Sequence, residues 1–224
     1  MIAWSYWGIA LALLLLGIAM AIIEPTHPTQ GPIHKLLYLH LPVAINALLA
    51  SLVVCWASVG HIGSRRQIWD DLSHAGVAVT VLNATVLLLT GMFWAKVAWG
   101  EWWIWSPRLT FSLIFWALYV VILLVRSRIS SAKRRAAVSS IYGVVAFLDV
   151  PLLYLSAKLL PDVHPADTGL TSEMYPTLWV WMAAITMFSI GTIVARFRLA
   201  RANTGPDPET GNGHSPEFSG GARP

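Results

Sequence analysis

The chain has 224 residues, of which 56% are hydrophobic and only 12% are charged, and its formal net charge is +4 at pH 7. This composition excludes an ordinary soluble domain and predicts an integral membrane protein. The basic residues lie in short clusters beside apolar runs, which argues against a nucleic-acid partner, and the single cysteine, Cys55, excludes both an intramolecular disulfide and a C-x-x-C redox pair.

Six long apolar runs follow one another along the chain and predict an all-α integral membrane bundle of six transmembrane helices in contact with the lipid bilayer. The predicted spans are residues 2–23, 36–62, 74–96, 109–125, 136–160 and 177–195. Residues 199–224 are too poor in apolar residues to fold. We therefore expect a single six-span domain over 1–198, followed by a disordered cytoplasmic tail.

The orientation is predicted from the basic residues near the span ends, because Lys and Arg concentrate in loops that stay in the cytoplasm. These residues are most frequent after the second and fourth spans and at the start of the tail. Both termini are therefore expected to be cytoplasmic, and the loops after the first, third and fifth spans share the outer face. Four histidines fall on that face: His27, His34, His40 and His164.

The loop between the third and fourth spans has an unusual concentration of tryptophan. Four indoles lie close together there: Trp99, Trp102, Trp103 and Trp105. Single tryptophans anchor helix ends at membrane interfaces, but anchoring does not require so many rings in one short loop. The cluster favours a platform for a large, flat, apolar ligand.

A haem fits such a platform, and it also needs axial ligands, for which neutral imidazole is a usual donor. His40, at a helix end, and His164, in a loop, form the natural pair on the indole side. His27 and His34 stay open as alternatives, because their spacing excludes neither. Each histidine taken singly is also consistent with a hydrogen-bonded residue at the membrane interface.

Charged residues near the same loops are candidates for contacts with the carboxylates of a haem. The guanidinium of Arg108 has the right shape, and Lys96 and Lys158 are weaker candidates; the alternative is an ordinary charge at the end of a span. Asp149 lies inside the fifth apolar run, where a carboxylate is costly and generally faces the bundle interior or a wet cavity. Pro151 predicts a kink just after it.

The segment from Trp99 to Thr110 reads Trp-Gly-x-Trp-Trp-x-Trp-Ser-Pro-Arg-Leu-Thr. It resembles the tryptophan-rich signature of the cytochrome c assembly protein family, and the sequence around His40, Tyr-Leu-His-Leu-Pro, resembles that family's first ligand segment. The resemblance covers nearly the whole chain up to the tail. Two positions depart from the family pattern, because Ser106 and Ser112 stand where the family usually has acidic residues.

The resemblance implies a protein of the cell inner membrane that is not an enzyme. It would bind haem b non-covalently and transiently on the periplasmic side, with His40 and His164 as axial ligands and the indoles as the platform, and deliver it to a haem chaperone during cytochrome c maturation. Other cytochrome c maturation proteins, including the ATPase and permease subunits of an ABC transporter, are further candidate partners. Two alternatives stay open: a permease for haem or another amphipathic solute that works with an ATPase subunit, and an assembly scaffold that binds no haem.

Overall fold

The computed structural model describes residues 4–27, 30–164 and 169–204. Within these ranges the chain forms α-helices joined by short connections and no β-sheet. The helices are α1 (Trp4–Ile23), α2 (Leu37–Ser64), α3 (Gln67–Trp99), α4 (Pro107–Arg128), α5 (Ala132–Phe147), α6 (Asp149–Leu159) and α7 (Tyr175–Thr204). A 3₁₀ helix, Pro32–Leu36, leads into α2. The predicted all-α class is confirmed.

Six of the helical stretches are long and apolar enough to cross a membrane, and α5 and α6 together supply the fifth. This confirms the predicted six-helix membrane bundle. The division of the fifth crossing falls at Leu148. Pro151 explains it, because a proline cannot donate to the carbonyl four residues earlier, which belongs to Phe147, the last residue of α5.

Two helices extend past their predicted ends. Helix α3 begins at Gln67, in a segment that the sequence analysis places in a loop, and α7 continues to Thr204, into the expected tail. The polar residues at the start of α3 are accommodated by ion pairs with distant helices: Asp70 with Arg126, and Asp71 with Arg201. The rest of the predicted tail lies outside the described residues.

Helices α2 and α3 form the centre of the bundle. Helix α2 also packs against α5 and α7, α1 packs against α7, and α4 packs against α3, α5 and α6. Small residues allow the close approach of α2 and α3, since a Cβ on Gly76 would lie 2.8 Å from a methyl group of Val54. Two amides add polar links to α7: Asn46 bonds to Thr186 and Asn83 to Ser189, each at 3.1 Å.

Successive membrane crossings run in opposite directions, and α5 and α6 form one crossing, so that the start of α2, the end of α3, the start of α4 and the end of α6 meet at one end of the bundle. We call it the indole end, because it carries the tryptophan-rich loop of residues 100–106. Contacts between these segments confirm the grouping: Arg108 at the start of α4 reaches His164 beyond α6, and His34 lies beside Trp94 of α3.

Candidate functional site

The tryptophan-rich loop is defined at both ends by local structure. Helix α3 ends at Trp99 with Gly100 as its C-cap, where the positive φ of 81° suits a glycine, and Lys96 Nζ donates to the Gly100 carbonyl at 2.7 Å. Helix α4 begins with Ser106 as N-cap and Pro107 in the first turn, and the Ser106 hydroxyl accepts from the Leu109 N–H at 3.4 Å. The loop is therefore short and held on both sides.

The indoles of this loop form an exposed aromatic surface. Trp102 and Trp105 are 48% and 74% exposed, and Trp99 and Trp103 are half-buried. Trp102 meets Phe93 edge to face at 5.7 Å between ring centroids, and Trp103 meets Trp105 in the same way at 5.8 Å. The Trp103 Nε1–H is buried and makes no hydrogen bond to any residue that the structure describes.

The environment of His40 determines which of its ring nitrogens carries the proton. His40 Nδ1 lies 2.8 Å from Thr90 Oγ1 on α3, and that hydroxyl donates its own proton to the Val86 carbonyl at 2.8 Å or the Leu87 carbonyl at 3.0 Å. Because the hydroxyl has a single proton and two carbonyls within reach of it, we infer that Oγ1 accepts from His40 Nδ1–H. The lone pair of the neutral imidazole is then on Nε2.

His164 has the opposite arrangement. Arg108 Nη1 lies 2.6 Å from His164 Nδ1, and a guanidinium can only donate. His164 Nδ1 is therefore the acceptor, and the proton of the neutral imidazole is on Nε2. The two histidines at the indole end thus carry their protons on different nitrogens.

Asp162 connects the two residues of this second pair through their main chains. Its Oδ2 accepts from the Arg108 N–H at 2.8 Å and its Oδ1 from the His164 N–H at 2.9 Å. Burial alone would raise the pKa of Asp162, but hydrogen bonds from the backbone of His164 and Arg108 and from the Ser106 hydroxyl, together with the Arg108 charge, lower it below its ordinary value. Asp162 is therefore an anion.

The structure brings the sequence-predicted residues together in two groups. His40 and His164 lie near enough to interact electrostatically, and Arg108 contacts His164 directly. The indoles form two ring pairs, Trp102 with Phe93 of α3 and Trp103 with Trp105. Lys96 lies near Trp102, at 6.0 Å from the ring centroid, and Lys158 lies over Tyr154. A shared ligand for the whole set stays a prediction.

His27 and His34, the alternative ligands, pack against each other. Their rings stack at 4.4 Å between centroids, His34 is fully buried, and a Cβ on Gly169 would lie 3.4 Å from His27 Nε2 and 3.7 Å from His34 Nε2. These histidines therefore fill the space between the segment after α1 and the segment before α7. The arrangement favours a packing role.

Thr90 and Asp162 are the functional candidates that sequence reasoning missed. Thr90 is one of several threonines in an apolar run, and its spacing from His40 gives no sign of contact. Asp162 gives a weak signal, as a carboxylate two positions before a candidate ligand. Both roles depend on segments that are distant in the sequence.

Six apolar helices, with exposed indoles at one end of the bundle, are typical of a multi-pass membrane protein. The comparisons with known proteins agree. A family model described as "Heme exporter protein C" matches residues 1–205, and the chain belongs to this family. The match confirms the resemblance that the tryptophan-rich signature indicates.

Three relatives carry the name "Heme exporter protein C". That of Escherichia coli K12 is 26% identical over 157 residues, which cover 69% of this chain and 63% of that protein. That of Bradyrhizobium diazoefficiens is 25% identical over 193 residues, or 83% and 73% of the two chains. That of Haemophilus influenzae is 28% identical over 161 residues, or 69% and 64%. The match thus spans less than two thirds of the E. coli and H. influenzae proteins.

Proposed function

We propose that this protein binds haem b non-covalently and transiently at the indole end and passes it to a haem chaperone during cytochrome c maturation. The observation that carries the proposal is the His40–Thr90 hydrogen bond, which leaves the His40 lone pair on Nε2. A neutral imidazole whose other nitrogen is hydrogen-bonded is the usual form of a histidine that ligates a metal. The family membership supports the same ligand.

The residues present at the indole end fit the chemistry of haem. Imidazole is a usual ligand of iron, exposed indoles suit a flat macrocycle, and a guanidinium suits carboxylates. The buried Trp103 Nε1–H, which is unsatisfied among the described residues, would gain from an acceptor. When bound, haem supplies an iron for His40 and His164 and two propionates for Arg108.

The two histidines have different parts in this proposal. His40 has its Nε2 lone pair already available, because Thr90 holds the proton on Nδ1. His164 can ligate through Nε2 only after Arg108 leaves Nδ1. A carboxylate is a stronger partner for a guanidinium than a neutral imidazole is, so the arrival of a carboxylate at Arg108 frees His164. His40 is thus the fixed ligand and His164 the exchangeable one.

We place the protein in the cell inner membrane, with both termini cytoplasmic and the indole end on the periplasmic side. The distribution of Lys and Arg supports this orientation, because Arg65, Arg66 and the basic residues at the end of α4 and the start of α5 lie at the opposite end of the bundle. The protein then acts by binding and transfer rather than as an enzyme. ABC-transporter subunits and other cytochrome c maturation proteins are the further partners that we propose.

Absorption spectra of the purified protein, titrated with haem, test the ligation directly. The wild type is expected to give the spectrum of a low-spin iron with two imidazoles, whereas His40→Ala and His164→Ala each lose it. His61→Ala is the control, because His61 lies on the same helix as His40 but at the other end of the bundle. An unchanged spectrum in both the His40 and the His164 variants would show that the proposed ligation is wrong.

A permease is the second candidate function, and one observation favours it. Asp149 is only 4% exposed within a membrane crossing, and its Oδ2 makes no hydrogen bond to the described part of the chain. Such carboxylates often mark a path for a polar solute. If the protein is a permease, haem should accumulate in an ATP-dependent way in vesicles that also contain an ATPase subunit. This accumulation should be lost in Asp149→Asn. A scaffold, by contrast, would copurify with partners and contain no haem.

A further inference from the structure

We propose that Asp162 is a positioning residue, whose carboxylate clamps the His164 segment onto the start of α4 and so determines where His164 and Arg108 stand. This inference rests on the proposed function, because its consequence is the geometry of a haem ligand. It adds to that function a residue that contacts neither the iron nor the macrocycle.

The clamp combines a local hydrogen bond within the His164 segment with one to α4, which is distant in the sequence. Each carboxylate oxygen of Asp162 accepts one backbone N–H, that of Arg108 at 2.8 Å and that of His164 at 2.9 Å. The nearby Ser106 hydroxyl also helps to lower the pKa of the carboxyl group. Bonds to a charged acceptor are stronger than neutral ones, so this one side chain fixes the main chain at two points.

The N-terminus of α4 is a favourable position for a carboxylate. The first N–H groups of a helix have no partner within it, and negative charge is favourable there. In α4 the hydroxyl of Ser106 satisfies the Leu109 N–H, and Pro107 has no N–H. The N–H of Arg108 remains, and Asp162 accepts from it. The cap of α4 is therefore shared between its own N-cap serine and a carboxylate from another loop.

The same contacts close a ring that contains the candidate ligand. The Asp162 carboxylate accepts from the Arg108 N–H, and the Arg108 guanidinium donates to His164 Nδ1 at 2.6 Å. The His164 N–H donates to the same carboxylate and completes the ring. Helix α6 ends at Leu159, so no helix backbone fixes the residues between it and His164. Without the carboxylate, His164 loses its link to α4 through the main chain, and its imidazole is less firmly held at the start of α4.

Three variants test the clamp. Asp162→Ala removes both acceptors, and Asp162→Asn keeps one acceptor oxygen, so that an intermediate effect is expected. Ser131→Ala is the matched control, because Ser131 caps α5 at the other end of the bundle through a similar bond to the Arg134 N–H. Two measurements are made: amide hydrogen exchange of Arg108 and His164 in the haem-free protein, and the spectrum and affinity of the protein with haem.

We expect faster exchange at both amides in Asp162→Ala, together with a shift from a six-coordinate low-spin to a five-coordinate high-spin spectrum that retains His40. Haem affinity should fall about tenfold, the effect typical of losing a group that orients a ligand. Ser131→Ala should change neither measurement. Spectra and amide exchange like those of the wild type in Asp162→Ala, or equal changes in the Ser131 control, would overturn the proposal.

The two proposals can fail separately. If the wild type binds no haem, the proposed function fails, while amide exchange still shows whether Asp162 holds the His164 segment. If the wild type binds haem through His40 and His164 and Asp162→Ala binds it in the same form, the proposed function stands and the clamp is refuted.

Discussion

Replacing Thr90 by valine removes the acceptor that holds the His40 proton on Nδ1, with almost no change of side-chain volume. The Thr90–His40 hydrogen bond is 2.8 Å long, and Thr90 is buried, so water does not readily replace the lost hydroxyl. The helix is expected to be preserved, because the other hydrogen bond of the Thr90 hydroxyl is made within the helix, to a carbonyl of the preceding turn. The effect should therefore be confined to the imidazole.

The expected magnitude follows from the contact that is lost. A neutral hydrogen bond contributes about 0.5–1.5 kcal/mol net, and a buried imidazole N–H without an acceptor costs about 1–3 kcal/mol. The loss of a group that orients a metal ligand typically lowers affinity about 10–100-fold. Haem affinity of Thr90→Val should therefore fall about tenfold, which corresponds to about 1.4 kcal/mol. The low-spin spectrum should persist at saturating haem.

A haem titration followed by absorbance measures the affinity, and ¹⁵N NMR of the imidazole reports the tautomer. Thr80→Val is the control, because Thr80 is buried on the same helix and its hydroxyl also bonds to a carbonyl of the preceding turn, Gly76, at 3.0 Å. Thr90→Ser keeps the hydroxyl and should behave as the wild type does. Equal affinities for Thr90→Val and Thr80→Val would refute the reasoning about the proton on His40.

Three further changes have definite expected outcomes. Arg108→Gln should abolish most of the preference for haem over its dimethyl ester, measured by parallel titrations, because the guanidinium is the proposed partner of the propionates. Asp70→Asn should lower the free energy of unfolding in detergent by about 3–5 kcal/mol, since it leaves the Arg126 guanidinium buried without its anion. Gly143→Ala should lower the apparent Tm, by an amount equivalent to about 1–3 kcal/mol, because the new methyl group meets the Ser58 hydroxyl.

Each of these predictions has a control within the chain. Lys96→Gln should retain the preference for haem over the ester, since Lys96 bonds to the Gly100 carbonyl. Asp71→Asn should destabilise less than Asp70→Asn, because its ion pair with Arg201 is longer, 3.6 Å against 2.6 Å, and more exposed. Gly63→Ala meets nothing within 4 Å. Equal effects of a variant and its control would contradict the reason given for that variant.

Much of the fold could be predicted from the sequence, because a bilayer requires long apolar helices and these are local features. The beginning of α3 could not be predicted in this way. Asp70 and Asp71 give the segment the composition of a loop, yet both are buried in a helix and paired with Arg126 and Arg201, which are distant in the sequence. A local pattern does not show where such partners lie.

The difference between local patterns and contacts between distant segments applies to the candidate site as well. The indoles and His40 stand out in the sequence because residue type and position are enough to identify them, whereas Thr90 and Asp162 act through contacts between segments. Ser106 is the clearest example of a position whose surroundings the sequence alone does not show. The family pattern has a carboxylate at that position, and its absence suggested a lost charge. In the structure the carboxylate of Asp162 comes from another loop, and the Ser106 hydroxyl helps to lower its pKa.

The interruption of the fifth crossing at Leu148 divides the candidate ligands between two halves of the molecule. Helix α6 packs mainly against α4 and makes few contacts with α5, so His164 and Arg108 both belong to the α4–α6 half. His40 and Thr90 belong to the α2–α3 half. The spacing of the two imidazoles is therefore set by how these halves meet. We expect a partner that moves α4 away from α3 to weaken the binding of any ligand that the two histidines share, without contacting either of them.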